Sequence, residues 1–96
     1  MTGGLGGFFP IRLKYTWSRT VVARNELADD YSCADGERTI GRVYRRNSGG
    51  WYWCMNAWGA DINRGGWEMD GVVDTKDEAA AMVERCYEAC RAATLT

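Results

Sequence analysis

The chain has 96 residues, and histidine is absent from it. Without histidine, a serine or cysteine nucleophile lacks its usual general base, and a zinc site lacks one of its usual ligand types. A glycine-rich phosphate loop is also absent, because Gly49-Gly50 and Gly65-Gly66 are isolated pairs. These absences argue against most classes of enzyme. We therefore predict a protein with no catalytic residue and no cofactor.

The sequence also lacks a long apolar run and a strong net charge. No apolar stretch approaches the roughly 20 residues of a membrane span, and residues 1–7 have neither the basic nor the apolar part of a signal peptide. The formal charge of −1 gives no overall attraction to nucleic acid or anionic membranes. Basic residues nevertheless outnumber acidic ones up to Arg64, which leaves room for a local basic surface. We expect a cytoplasmic protein that does not bind membranes.

Aromatic residues are concentrated in residues 38–73, which hold four of the five tryptophans. Tryptophan and tyrosine bury large areas, so we expect the core to be centred here. The Asp35-Gly36 pair precedes this stretch and predicts a hairpin, because glycine supplies the positive φ of a tight turn. The stretch itself is predicted to contain strands at residues 38–46, 51–58 and 67–73, a turn at residues 47–50 and a loop at residues 59–66.

The first part of the chain has weaker signals. Residues 1–10 are rich in glycine and are expected to form a flexible tail. Apolar and polar residues alternate from Ile11 to Trp17, which predicts a half-buried N-terminal strand with basic residues on its open side. Residues 18–25 fit either an extension of that strand or a turn of helix. Residues 26–30 are predicted to be a polar connection.

The end of the chain carries the clearest helix signal. Thr75 and Glu78 have the spacing of a capping box, in which each side chain satisfies a free N–H of the first turn. Small or apolar residues then recur in steps of three and one from Ala79 to Ala93, which predicts an amphipathic helix of about 17 residues. The charged residues predicted on its opposite side are Glu84, Arg85, Glu88 and Arg91.

The order of these elements predicts the α+β class. We expect an antiparallel sheet of about four strands, a β-meander, packed on one C-terminal amphipathic helix, with an additional N-terminal strand. No internal repeat or second hydrophobic unit is visible, so residues 11–96 are predicted to form a single domain.

Three motifs carry a resemblance to known proteins. They are Ile40-Gly41-Arg42-Val43-Tyr44-Arg45, Trp51-Tyr52-Trp53 and the Thr-x-x-Glu-Ala helix start at residues 75–79. Together they resemble a group of small uncharacterised proteobacterial proteins over roughly residues 29–93. That resemblance implies the β-meander-plus-helix fold and no particular activity.

The layout is also similar to plant AP2-type DNA-binding domains and to the arm-binding domains of phage integrases. Both families place three antiparallel strands against one helix, and they read the DNA major groove from the open sheet face. The resemblance implies that the DNA-contacting counterparts in this chain would be Arg42, Arg45, Arg46, Trp51 and Trp53.

Arginine and the aromatic residues supply the candidate binding groups. Arginine suits bidentate contacts and stacking on aromatic rings, but Arg42 or Arg46 could instead pair across the sheet with Glu68 or Asp70. One 17-residue helix cannot bury every aromatic side chain of the meander. We expect Tyr52 and Trp58 on the sheet face opposite Trp51 and Trp53, where either residues 11–17 or a partner covers them.

The cysteines allow two interpretations. Cys86 and Cys90 share a helical face at i, i+4 and could ligate zinc together with Cys33 and Cys54. Cysteine also packs as a small hydrophobic residue. Because the chain shows no export signal, we predict free thiols rather than disulfides. Because it has neither histidine nor a C-x-x-C pair, we predict no metal site.

A surface of tryptophan, tyrosine and arginine has the composition of interface hot spots. We therefore expect a non-catalytic binding module that acts on a protein partner; a phage or mobile-element accessory or inhibitory factor of the anti-CRISPR type fits this description. The alternative is a DNA-binding domain that uses the open sheet face, and homodimerisation stays open. The predicted partner-binding residues are Arg42, Arg45, Arg46, Tyr52, Trp58 and Arg64.

Overall fold

The computed structural model describes residues 12–66 and 68–93, so the predicted tail at residues 1–10 lies outside the described residues. The described part folds as one antiparallel sheet with strand order β1-β2-β3-β4-β5, packed against one C-terminal helix. The predicted α+β meander is confirmed, with five strands rather than about four. The elements are β1 (Thr16–Val22), β2 (Asn25–Asp35), β3 (Arg38–Arg45), β4 (Trp51–Met55), β5 (Asp70–Val73) and α1 (Lys76–Ala92).

One row of paired residues crosses four strands and marks the core. Trp17 pairs with Cys33, Cys33 with Gly41, and Gly41 with Met55, and all four are buried. A Cβ atom on Gly41 would lie 2.4 Å from Val83 Cγ1 of α1, so this row faces the helix. Successive side chains of a strand point to opposite faces. We call the two sides of the sheet the helix face and the outer face.

The two turn signals within the meander are confirmed. Gly36 has φ +63° in the two-residue loop between β2 and β3, the conformation for which glycine is favoured. In the turn between β3 and β4, Gly49 and Gly50 have φ +101° and +78°. Three predicted strand ends were wrong by one to three residues: β3 ends at Arg45, β4 ends at Met55 and β5 begins at Asp70.

The predicted polar connection at residues 26–30 is wrong, because β2 begins at Asn25 and pairs with β1. The turn of this hairpin is Ala23-Arg24, and both residues have positive φ, 50° and 69°. Two adjacent positive φ values define the type I′ turn, for which Asn-Gly is the favoured sequence. The chain therefore makes this hairpin without the residues that normally signal it.

We predict that replacing Ala23 by Asn and Arg24 by Gly raises the free energy of unfolding by about 1 kcal/mol, because side chains with a Cβ are disfavoured in the left-handed region. Urea unfolding with an unchanged denaturant slope measures this gain. Ala23→Val is the control and should lower stability, since a branched side chain fits positive φ poorly. A stabilising Ala23→Val would contradict the turn conformation.

The predicted N-terminal strand begins late. Strand pairing starts at Thr16, but the alternation holds before it: Leu13 and Tyr15 are partly buried and Trp17 is fully buried. The Tyr15 ring meets Tyr87 of α1 edge-on at 5.2 Å. Residues 12–17 therefore pack beside the helix and do not cover the outer face.

Helix α1 begins and ends as its sequence predicts. Thr75 Oγ1 accepts the Glu78 N–H at 3.1 Å and donates to Glu78 Oε1 at 3.0 Å. The predicted apolar stripe faces the core, and the helix has 17 residues. One predicted residue is misplaced: Glu84 was expected on the exposed side, yet it is 7% exposed. Among the described residues, no helix has the length and apolar character needed to span a bilayer.

Candidate functional site

The six residues predicted to bind a partner lie in three separate places. Arg42 and Tyr52 project from the outer face, since they pair with Cys54 and Tyr44 in rows that alternate with the core row. Arg45 and Arg46 lie at the β3–β4 turn. Trp58 and Arg64 belong to the loop at residues 56–69, which follows the opposite end of β4. The sheet does not bring all six residues together.

On the outer face, Arg42 is held by a partner that the sequence did not suggest. Its Nε and Nη2 donate to the two carboxylate oxygens of Asp30, at 2.8 and 2.5 Å, rather than to Glu68 or Asp70. This hydrogen bond is the main cause of the raised pKa of Arg42. The guanidinium also lies 5.2 Å from the centre of the Tyr44 ring. Arg42 is therefore engaged within the sheet.

Tyr52 is engaged in the same way. Its hydroxyl donates to Asp70 Oδ2 at 2.9 Å, and its ring lies 5.0 Å from that of Tyr44. Burial, followed by the hydrogen bond to Asp70, raises the pKa of Tyr52 to about 12, so the phenol stays protonated at neutral pH. Among the outer-face residues that pair between neighbouring strands from β2 to β5, the charged ones are Asp30, Arg42 and Asp70. This face therefore carries no excess of positive charge.

The two arginines at the β3–β4 turn are more open to solvent. Arg45 Nη1 lies 3.9 Å from Asp29 Oδ2, and the two side chains are 66% and 53% exposed, so this ion pair is weak. Arg46 is exposed, and its backbone closes the turn by accepting the Gly49 N–H at 3.1 Å and donating to the Gly50 carbonyl at 3.0 Å.

Trp58 is the most exposed large apolar side chain of the described residues, at 79%. The chain on either side of it is fixed. The Asn56 N–H donates to the Ile40 carbonyl at 2.9 Å, Ala57 is 1% exposed, and Arg64 Nη1 donates to the Ala57 carbonyl at 2.7 Å. The indole therefore projects into solvent from an ordered backbone.

The second half of this loop is tied to the helix and to β3. The Asn63 N–H donates to the Cys90 carbonyl of α1 at 2.9 Å. The Asp61 carboxylate is 3.0 Å from Arg38 Nη1 and 3.7 Å from Arg91 Nε. The hydrogen bond from Arg38 is the main reason that the pKa of Asp61 is lowered. These contacts set the position of the loop that carries Trp58.

Tyr87 lies at the centre of this polar network. Its hydroxyl donates to Asp35 Oδ2 at 2.6 Å and accepts from Arg38 Nη1 at 3.3 Å, while Arg38 and Arg91 lie over its ring at 5.9 and 5.4 Å. Burial, then the hydrogen bond to Asp35, raises the pKa of Tyr87 to about 12. Sequence reasoning missed this network, because its members are far apart in the chain and carry no shared motif.

A second set that sequence reasoning missed surrounds the Glu84 carboxylate. It accepts the backbone N–H of Lys14 at 2.9 Å, the backbone N–H of Tyr15 at 3.1 Å and the indole N–H of Trp17 at 2.9 Å. One turn further along, Glu88 binds Lys14 Nζ at 2.9 Å. This arrangement attaches the N-terminal segment to α1 and has a structural explanation.

The four cysteines are divided between the two sides of the sheet. Cys54 pairs with Arg42 and lies on the outer face, whereas Cys33 belongs to the core row and Cys86 and Cys90 are buried on α1. A site with all four thiols is therefore not formed. Within residues 12–66 and 68–93, no three histidine, cysteine, aspartate or glutamate side chains gather in a way that could hold a metal ion.

Comparison with known proteins gives no match to a family model, a curated protein sequence or a solved structure.

Proposed function

We propose that this protein is a non-catalytic binding module that contacts another protein through the loop carrying Trp58. The observation that supports the proposal is a tryptophan that is 79% exposed on a loop with fixed flanks. Tryptophan is among the residues most enriched at interface hot spots. The exposed indole offers a large apolar area, with one N–H donor, that a partner could bury.

The ordered loop matters because binding entropy opposes association. A loop that folds only on contact loses conformational freedom at that moment, whereas a preorganised loop has already lost it. Here the Ala57, Asp61 and Asn63 contacts fix the backbone before any partner arrives. We expect an apolar pocket on the partner that receives the Trp58 ring.

The charge beside the indole defines the rest of the partner surface. Arg64 is exposed, and its bond to the Ala57 carbonyl uses one of the five N–H donors of a guanidinium. A carboxylate at the rim of the partner pocket would accept from the others. A small accessory or inhibitory factor from a phage or mobile element is compatible with such a surface.

DNA binding through the outer face is the competing function. It would need arginines that are available to phosphates or bases. Arg42 instead binds Asp30, and Asp70 adds a carboxylate to the same face. These charges favour the protein partner over the DNA alternative.

The decisive experiment is quantitative affinity capture with the wild-type chain, Trp58→Ala and a matched control, Val21→Ala. Val21 is also an exposed apolar residue, at 58%, but lies on β1. We expect a protein that the wild type and the control retain and that Trp58→Ala loses. With that protein purified, Trp58→Ala should weaken the affinity by about 30-fold, the effect of a hot-spot residue of about 2 kcal/mol.

Titration of mixed-sequence duplex DNA into the protein at low and moderate salt tests the competing function, DNA binding. Three results together would favour DNA as the partner in place of a protein. Binding would be saturable and fall steeply with salt, it would persist in Trp58→Ala, and it would be lost in Arg45→Ala/Arg46→Ala. A captured protein that binds Trp58→Ala as tightly as the wild type would also contradict the role of this loop.

A further inference from the structure

Within the described part of the chain, no strand or helix covers the outer face of the sheet. Helix α1 packs on the opposite side, and residues 12–17 lie beside that helix. On the outer face, Val72 is 49% exposed and the Arg42 side chain is 41% exposed. In β-sandwiches such a face is buried against a second sheet. The arrangement of its side chains decides which surface would fit it.

Two rows of paired residues cross β3, β4 and β5 on this face, with β4 in the middle of both. The first row is Arg42, Cys54 and Asp70, and the second row is Tyr44, Tyr52 and Val72. The first row therefore has a cation on one side of β4 and a carboxylate on the other, each about 4.8 Å from that strand. A surface that complements this row must carry the same two charges in the reverse order.

A second copy of the chain presents that reverse order. When two copies pack outer face to outer face about a two-fold axis along β4, strand β3 of each copy lies over β5 of the other. Arg42 then faces Asp70 of the second copy, and Asp70 faces the Arg42 of that copy. In the second row, Tyr44 and Val72 face each other in the same reciprocal way.

The charged groups have bonding capacity left for this contact. Arg42 donates to Asp30 through Nε and Nη2, which leaves Nη1, and Asp70 accepts from Tyr52 through Oδ2, which leaves Oδ1. Aligned sheets pack about 10 Å apart and cross at about 30°. One strand from the axis, that rotation separates the facing residues by only about 2.5 Å, a shift that a long arginine side chain spans.

We propose that this protein forms a two-fold dimer in which the outer faces of two chains pack on each other over β3, β4 and β5. Two reciprocal Arg42–Asp70 ion pairs set the register, and the aromatic and apolar side chains of the second row are buried between the sheets. The overlap is three strands wide, about 14 Å, so the interface is small for a dimer and we expect a micromolar dissociation constant.

The first test is sedimentation equilibrium of the full chain from about 1 μM to about 1 mM. Val72→Lys places a charge against Tyr44 at two positions of the symmetric dimer, so we expect the dissociation constant to rise about 100-fold. Asp70→Lys brings like charges together and should have a similar effect, whereas Asp70→Glu should keep the dimer. Val21→Lys is the matched control, because Val21 is 58% exposed but lies on β1, outside the overlap.

Cross-linking then locates the axis. Cys54 of each copy lies on the axis, and of the four cysteines, which all belong to the described residues, only Cys54 is not buried. A disulfide needs Cα atoms within about 7 Å, closer than two packed sheets, so a short bismaleimide is the appropriate reagent. We expect a cross-linked dimer from the wild type and from Val21→Lys, and none from Cys54→Ser or Val72→Lys.

Circular dichroism and urea unfolding of each variant separate loss of the dimer from loss of the fold, and Val72→Lys decides the question if Asp70→Lys does not fold. A wild-type chain that is monomeric at about 1 mM would overturn the proposal. So would a dimer that survives both lysine variants, or one that Val21→Lys dissociates. Trp58→Ala should leave the dimer unchanged, so failure of the dimer and failure of the proposed protein partner are distinguishable.

Discussion

Glu84→Ala is expected to lower the free energy of unfolding by about 4 kcal/mol, because it leaves one buried and two partly buried N–H donors without an acceptor. The Glu84 side chain is 7% exposed and accepts three N–H groups, from the backbone of Lys14 and Tyr15 and from the indole of Trp17. Hydrogen bonds to a charged acceptor contribute about 1.5–3 kcal/mol each, and the alanine variant also leaves a cavity. A domain of this size has only about 5–15 kcal/mol of stability, so the loss is large.

Two further variants distinguish the buried carboxylate from a general effect on α1. Glu84→Gln keeps the size and one acceptor oxygen but places an amide N–H₂ toward the donors, so we expect about half the loss. Glu88→Ala removes the exposed partner of Lys14, one turn away, and should have a much smaller effect.

Urea unfolding gives the stabilities, and amide hydrogen exchange at Lys14 and Tyr15 gives the local consequence. In Glu84→Ala these two amides should exchange faster than the amides of the core strands, because they lose their acceptor. If Glu84→Ala and Glu88→Ala had equal stabilities, the role of the buried carboxylate would be refuted.

Gly41→Ala is expected to destabilise the fold by about 3 kcal/mol through overpacking. The new Cβ atom would lie 2.4 Å from Val83 Cγ1 and 2.6 Å from the Cys54 carbonyl oxygen. The first neighbour is a buried side chain and the second is backbone, so neither can move without disturbing the packing of α1 on the sheet. The φ of Gly41 is not positive, so the effect comes from contact and not from backbone conformation.

Gly65→Ala is the matched control for this prediction. An added Cβ there meets nothing closer than Asn63 Oδ1 at 3.5 Å, so the change should be within about 0.5 kcal/mol. Adding Val83→Ala to Gly41→Ala should not restore stability, because the Cys54 carbonyl remains in place. Thermal and urea unfolding measure all three variants. Equal stabilities for Gly41→Ala and the wild type would mean that the helix lies farther from β3 than described.

The sequence predicted best those features that depend on neighbours in the chain. The Thr75 N-cap and the apolar period of α1 are local patterns, and both are confirmed. The glycines at Gly36 and Gly49 supply positive φ where the hairpins turn. The Ala23-Arg24 turn was missed for the same physical reason, since neither residue favours the conformation it adopts.

The candidate site was only partly predictable. Trp58 was identified from its residue type, but its expected place on β4 was wrong, because the strand ends at Met55 and the loop turns the indole into solvent. Arg42 was predicted to bind a partner because of its residue type. Asp30, which binds it in the structure, was predicted to lie in a polar connection and not in a strand. Pairing between β2 and β3 brings these two residues together, and a local pattern does not encode that pairing.

By itself, the sequence determined the fold class, the helix, the meander and the residue types available for binding, because hydrophobic period and turn chemistry act over a few residues. Tertiary structure alone decided which polar groups are buried and which apolar group is exposed. Lys14 and Glu84 are 70 positions apart, yet packing of the N-terminal segment on α1 places them in hydrogen-bond contact. Other long-range contacts, from the loop to β3 and α1, hold Trp58 at the surface, so the surface proposed to bind a partner also depends on the tertiary structure.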